Sequence, residues 1–179
     1  MLDESGLLLT PLVRRTLAPT GRTPRLVHRA RHRQKVSLIA ALTLSPRRRR
    51  LGLYFRSAPD QYFTQDTVAA FVRHLLRHLR GRVILVWDGW SGHRGPAIRA
   101  VCAAHPRLEL VSLPAYAPEL NPVEHLWTHL KWGELCNFAP HDTAELNAAV
   151  QPLLRRAARD RNRLRSFWKG AKLHLPRGR

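Results

Sequence analysis

The sequence predicts an α/β domain with a mixed central sheet flanked by helices, and three observations carry that expectation. Val36 to Leu44 (VSLIAALTL) and Leu51 to Phe55 (LGLYF) are strand-like runs joined by SPRRRR, the pattern of an antiparallel hairpin. Val83 to Leu113 reads as strand, helix, strand within about 30 residues, a unit that brings two strands side by side in parallel. Apolar residues at helical spacing recur between and after these segments.

Taken in order, the chain opens with a short apolar segment, Met1 to Leu9, interrupted by Asp3 and Glu4. The stretch RRTLAPTGRTPR reads as loop, with a turn at Thr20-Gly21. After the hairpin, Thr64 or Asp66 can cap a helix whose apolar positions are Val68, Phe71, Val72, Leu75, Leu76 and Leu79, and Gly81 ends it. VILVW, Val83 to Trp87, is a continuous apolar run, as expected of a parallel strand buried on both faces. Gly95-Pro96 opens a helix with Ile98, Val101 and Cys102 on one face, Pro106 closes it, and LELVSL from Leu108 to Leu113 is the second strand. Asn121 then looks like an N-cap with Pro122 at the first helical position, ahead of a stripe of Val123, Leu126, Trp127 and Leu130. Asp142 or Thr143 can cap a last amphipathic helix through Leu146, Val150, Leu153 and Leu154. The expected organisation is one catalytic-sized unit, residues 1–154, followed by a basic tail, 155–179, that frays towards Arg179. No internal repeat is present.

Composition narrows the function classes. A chain of 179 residues with 44% hydrophobic residues can bury a core, which excludes general disorder. No run approaches the apolar length of a membrane span, and the first residues lack a signal-peptide pattern, so no membrane partner is expected. Two cysteines, Cys102 and Cys136, give no disulfide framework and point to a reducing cytoplasm. Together with His105 and His141 they match no standard zinc spacing. The charge is the strongest signal: 31 Lys and Arg against 12 Asp and Glu leave +19, with a pI near 11.7. Lysine occurs only at Lys35, Lys131, Lys169 and Lys172, so a coding bias can account for some arginine. It does not readily explain the scarcity of acids, and a polyanion, nucleic acid, is the expected partner.

The few acids fall in a telling arrangement. Asp88 ends the first parallel strand, and Glu124 opens the helix reached from the end of the second, 36 positions on. Ligands of open α/β sheets bind at that carboxyl edge. An acid from the first strand, Asp3 or Glu4, completes a cluster, and alternation along a strand allows only one of the two to join it. Clustered carboxylates repel unless cations neutralise them, and hard oxygen donors select Mg²⁺ or Mn²⁺. Two such ions can activate an attacking oxygen and stabilise a leaving one at a phosphodiester. Glu124 has a second reading, because an acid three residues after Asn121 also fits a capping box.

Three blocks, DESGLLLTPLVRRTLAPTGRTP, LVWDGWSGHRG and LPAYAPELNPVEHLWTHLK, resemble in order the signature blocks of the IS630/Tc1-mariner transposases. These are DDE-superfamily enzymes with an RNase H-like fold. The resemblance runs from Asp3 to Lys131 and departs from the usual aromatic residue at Leu17. It implies Asp3, Asp88 and Glu124 as a catalytic, metal-binding triad holding two Mg²⁺ or Mn²⁺ ions. It also implies cleavage of DNA at transposon ends and transfer of the freed 3′-hydroxyl into target DNA, typically at TA. A homo-oligomeric synaptic complex and a prokaryotic, nucleoid-associated cytoplasmic location are implied as well. Only Met1 and Leu2 precede Asp3, so the first strand is expected to be truncated and an end-recognising helix-turn-helix region to be missing. The alternative is a catalytically inactive, basic DNA-binding remnant of a split or decayed transposase.

The remaining candidates are auxiliary. His93, five residues after Asp88, either orients water or a phosphate or makes an ordinary loop hydrogen bond, and Asn121 stands beside Glu124. Arg47, Arg48, Arg49 and Arg50 either grip a DNA backbone or form a solvated hairpin tip. Arg94, Lys131, Arg161, Arg163 and Arg165 are the other candidate phosphate contacts, the last three in a run that is either DNA-binding or a disordered tail. Trp127 and Trp132 read as core and lid packing rather than base-stacking platforms.

Overall fold

Strand β2 (Lys35–Ser45) runs through the middle of the molecule, with Val36 to Leu42 buried on both of its faces. It pairs antiparallel with β1 (Leu2–Leu8) on one side and β3 (Arg50–Pro59) on the other. The predicted hairpin is therefore correct, and its continuous apolar run reflects a central position between two layers of helices. This computed structural model describes residues 1–27, 34–45, 50–90, 93 and 95–174.

Alternation along β2 divides the apolar side chains into two cores. Val36, Leu38, Ala40 and Leu42 face one way, against helices α3 (Pro122–Thr128), α4 (Thr143–Arg159) and α5 (Arg161–Gly170). Ile39 and Ala41 face the other way, against α1 (Gln65–His78) and α2 (Pro96–Ala104). Helix α1 starts at Thr64, one of the two expected caps, which shares a reciprocal capping box with Thr67. Its other end is held from outside: Arg107 donates to the carbonyls of Leu76, Leu79 and Gly81, placing a cation at the negative end of the helix dipole.

The second group of strands is the predicted parallel pair, β4 (Val83–Trp87) and β5 (Leu108–Ser112), joined through α2 and in register from Val83 opposite Leu108 to Trp87 opposite Ser112. The expectation that β4 is buried on both faces fails. Leu85 and Trp87 enter the core, whereas Ile84 is 58% exposed, because α1 and α2 cover only one side of the pair. β1 lies beside β4, so the parallel pair stands next to the antiparallel sheet β1-β2-β3.

The expected basic tail is another point of difference. Helix α4 runs past Leu154 to Arg159, and Asp160 then ends α4 and caps α5, its carboxylate accepting from the Arg163 N–H at 3.0 Å. Ala157, Leu164 and Phe167 keep helical spacing among the arginines and are buried in the first core. Arginine is itself a good helix former, so the charge run hides an amphipathic helix rather than a frayed end.

If α5 belongs to the core, truncating Phe167 will leave a cavity there. Phe167→Ala is expected to cost about 3–5 kcal/mol in urea unfolding. A change within ~0.5 kcal/mol, the usual range for surface sites, would return residues 155–170 to the status of a tail.

Candidate active site

Asp3 is the second residue of β1 and lies opposite Ala40, so its side chain faces the core that holds α3. It is 7% exposed. The indole N–H of Trp127 donates to its Oδ2 at 2.7 Å, a charge-assisted bond from the buried face of α3. Trp127 thus belongs to the core as expected and also holds the acid. Trp132 remains half-exposed.

Asn121 docks α3 onto β1. Its Oδ1 accepts from the Val123 N–H at 3.2 Å, as an N-cap should, and its Nδ2 donates to the Leu2 carbonyl at 3.4 Å. Pro122 follows at the first helical position. The reciprocal half of a capping box is not formed, because the Asn121 N–H donates to the Pro118 carbonyl at 2.9 Å. Glu124 is instead half-buried, and among the charged groups near Asp3 it has the largest effect.

Asp88 stands just beyond β4. Its Oδ1 accepts from the Trp90 N–H at 3.0 Å, a local Asx-type turn, and its side chain is 55% exposed. His93 folds back over this turn. Its ring is buried, lies parallel to Trp87 at 4.2 Å between centroids, and meets Trp90 edge-on at 5.2 Å. Nδ1 stands 3.0 Å from Asp88 Oδ1 and 3.2 Å from the Asp88 carbonyl, while Nε2 stands 3.2 Å from Glu4 Oε1. Burial disfavours the charged ring, but the Glu4 hydrogen bond and the charges of Glu4 and Asp88 outweigh it and raise its pKa.

Electrostatically the edge is strained by its acids. Burial, then repulsion by Glu124, Glu4 and Asp88, pushes the Asp3 carboxyl up to about 7 against the opposing Trp127 bond. Among the described residues, no three His, Cys, Asp or Glu side chains gather closely enough to hold a metal ion as they lie. The fit to a cation is therefore chemical rather than that of a finished cage. The candidate donors are all carboxylate oxygens, and Asp3 is short of positive charge where a hard divalent ion would supply it.

The candidate phosphate contacts divide. Arg50 is exposed at the start of β3, and Arg161 and Arg165 are exposed on α5. Arg47, Arg48, Arg49 and Arg94 lie outside the described residues. Lys131 donates to Ser5 Oγ at 2.8 Å, beside β1. Arg163 is engaged within the fold, with Nε 3.3 Å from Asp160 Oδ2 and a terminal nitrogen against the His129 ring. Two partners were not foreseen from the sequence: Trp127 for Asp3, and Glu4 for His93. Strand alternation carried a signal for the second, since it sends Glu4 to the face opposite Asp3.

Residues 1–145 match the protein family described as DDE superfamily endonuclease. Among solved structures, the chain is similar to the Mos1 mariner paired-end complex with Mn, with a TM-score of 0.67 and 18% identity over 96% of this chain and 50% of that one. A pre-cleavage Mos1 transpososome gives 0.67 and 17%, covering 96% and 51% respectively. The catalytic domain of Mos1 mariner transposase gives 0.58 and 16%, covering 96% and 74%. At such identities the likeness is one of fold, the RNase H-like fold of that catalytic domain. The chain spans about half the length of the first of these relatives. No curated protein matches it.

The raised Asp3 carboxyl has a sign that can be checked. An unfolded aspartate titrates near 3.9, whereas folded Asp3 holds its proton to about 7. Between those values the native state binds more protons than the unfolded state, so this group's contribution to stability falls as pH rises. In EDTA, urea unfolding should lose up to ~1.4 kcal/mol per pH unit from about pH 4 to 7. Asp3→Asn should flatten that decline, and parallel curves for the two proteins would count against the assignment.

Proposed function

Because the chain belongs to the DDE superfamily endonucleases, we propose that it carries the catalytic site of a DNA transposase, with Asp3, Asp88 and Glu124 as its acidic triad. The observation that carries this reading is a buried aspartate whose carboxyl is raised to about 7 by burial and by the charges of Glu124, Glu4 and Asp88, in a chain of net charge +19. An acidic cluster in so basic a protein suits a phosphodiester substrate better than a structural role.

Asp3, Asp88 and Glu124 would hold Mg²⁺ or Mn²⁺, two ions that when bound supply a Lewis acid for the attacking and the leaving oxygen. The protein's own part is orientation. Trp127 holds one oxygen of Asp3. Asn121 and Pro122 set the first turn of α3 so that Glu124 stands at the rim of the apolar stripe. Cleavage at an element's ends and transfer of the 3′-hydroxyl to target DNA, at TA sites, are the proposed steps, carried out in a homo-oligomeric complex with DNA. Exposed Arg50, Arg161 and Arg165 are the proposed phosphate contacts. No helix among the described residues is long and apolar enough to cross a membrane, and a nucleoid-associated site of action belongs to the proposal.

The test is cleavage of duplexes carrying the sequences that flank the gene, with Mg²⁺ or Mn²⁺, by the wild type and by Asp88→Asn and Glu124→Gln. A ligand should matter more than an outer partner, whose loss costs about 10–100-fold, so each variant should lose at least about 100-fold. Cleavage that persists in both variants would sink the triad. No cleavage by the wild type, with DNA binding that weakens steeply with salt, would favour the inactive remnant.

A separate expectation concerns binding. Replacing Arg161 and Arg165 with Gln should weaken non-specific DNA binding and reduce the slope of log K against log salt by about 1–2. An unchanged slope in filter-binding titrations would remove α5 from the DNA surface.

A further inference from the structure

Glu4 sits next to a proposed metal ligand, yet the fold turns it away from that ligand. Asp3 lies opposite Ala40 and faces the core of α3, whereas Glu4 lies opposite Ile39 and faces the core that contains β4. What Glu4 meets there is His93, with Oε1 3.2 Å from Nε2. On its other side the ring meets Asp88, with Nδ1 3.0 Å from Oδ1 and 3.2 Å from the carbonyl oxygen.

Three features make this more than a loop contact. The ring is 3% exposed and clamped between the face of Trp87 and the edge of Trp90, so its plane is set by packing and not by solvent. Among the described residues, β1 and β4 are neighbours that share no backbone ladder: β1 belongs to the sheet β1-β2-β3 and β4 to the pair β4-β5. The spacing between Asp3 and Asp88 is therefore left to side chains. Asp88 is also more than half exposed, and among the described residues its other side-chain restraint is the Trp90 N–H bond.

We propose that Glu4 and His93 form a positioning strut, in which Glu4 anchors the buried imidazole across the β1–β4 seam and His93 fixes the Asp88 carboxylate relative to Asp3. Glu4 is then a positioning residue and not a metal ligand, and so is His93. The part of this inference that concerns metal rests on the triad proposed above. The strut itself does not. Carboxylates that hold a metal are commonly aimed by a second layer of hydrogen bonds, whose loss costs about 10–100-fold in metal affinity.

Two measurements on the full chain separate these claims. In the metal-free protein, Glu4→Ala should shift the carboxyl ¹³C signal of Asp88 and the ring ¹⁵N signals of His93. Glu4→Gln, which keeps an oxygen for Nε2, should restore most of both shifts. An Asp88 signal unmoved by Glu4→Ala overturns the strut whether or not the protein binds metal. The second measurement is Mn²⁺ titration followed by electron paramagnetic resonance, with a thermal unfolding curve for each variant to confirm folding. Glu4→Ala and His93→Ala should each weaken Mn²⁺ binding about 10–100-fold. The double variant should be no weaker than the worse single, as for residues acting in one chain. Glu4→Gln should stay within a few-fold of wild type. A Glu4→Gln loss equal to that of Asp3→Asn would make Glu4 a ligand and refute the proposal. A wild type that binds no Mn²⁺ would refute the triad, leaving the strut to be decided by the carboxyl signal.

Discussion

The two-residue alternation of side chains along β1 and β2 is the constraint on which the rest of this structure depends. Because β2 is buried on both sides, alternate residues feed two separate cores, one under α3, α4 and α5 and one under α1 and α2. β1 inherits the same alternation through its register with β2, Asp3 opposite Ala40 and Glu4 opposite Ile39. Two adjacent acids are thereby sent to opposite sides of one sheet. A slip of one residue would exchange them and turn every apolar contact of β1 to the wrong face. The register that builds the cores and the register that aims the acids are the same.

From that division the electrostatics follow. On the α3 side, Asp3 is enclosed by apolar packing, held by the Trp127 indole and faced by Glu124, so its ionised form is disfavoured without a compensating cation. On the α1 side, Glu4 finds its compensation within the protein, in a histidine fixed between two tryptophans. One acid of the pair is left in need of positive charge and the other is provided with a partner, which is a physical reason to separate the proposed ligand from the proposed support. Among the described residues, two basic side chains near α3 are engaged elsewhere: Lys131 bonds to Ser5, and Arg163 is held by Asp160 and His129.

Much of this was legible from the chain. The hairpin, the strand–helix–strand unit, the cap positions at Thr64 or Asp66 and at Asp142 or Thr143, of which Thr64 and Asp142 form, and the stripe of Val123, Leu126, Trp127 and Leu130 come from local periodicity and capping chemistry, which act over a few residues. What escaped was the consequence of contacts distant in sequence. The exposure of Ile84 depends on which face α1 and α2 cover. The ordering of α5 depends on a core that accepts Leu164 and Phe167 despite the surrounding arginines. The capping reading of Glu124 failed because Pro118, in the preceding short turn, took the Asn121 N–H first.

The sequence by itself determined the fold class, the family blocks and the identity of the acids that the parallel unit carries to one edge, since these rest on residue type and spacing. Only the tertiary structure decided how those acids differ. Asp3 and Glu4 are neighbours with the same charge, and no local rule distinguishes them beyond the statement that they face opposite ways. Which one meets Trp127 and Glu124, and which meets His93, is settled by the packing of α3 on one face of β1 and of β4 beside the other. The reason is that burial and charge–charge repulsion act through space: they depend on what the fold brings within a few ångströms, which sequence separations of 89 to 124 residues do not disclose.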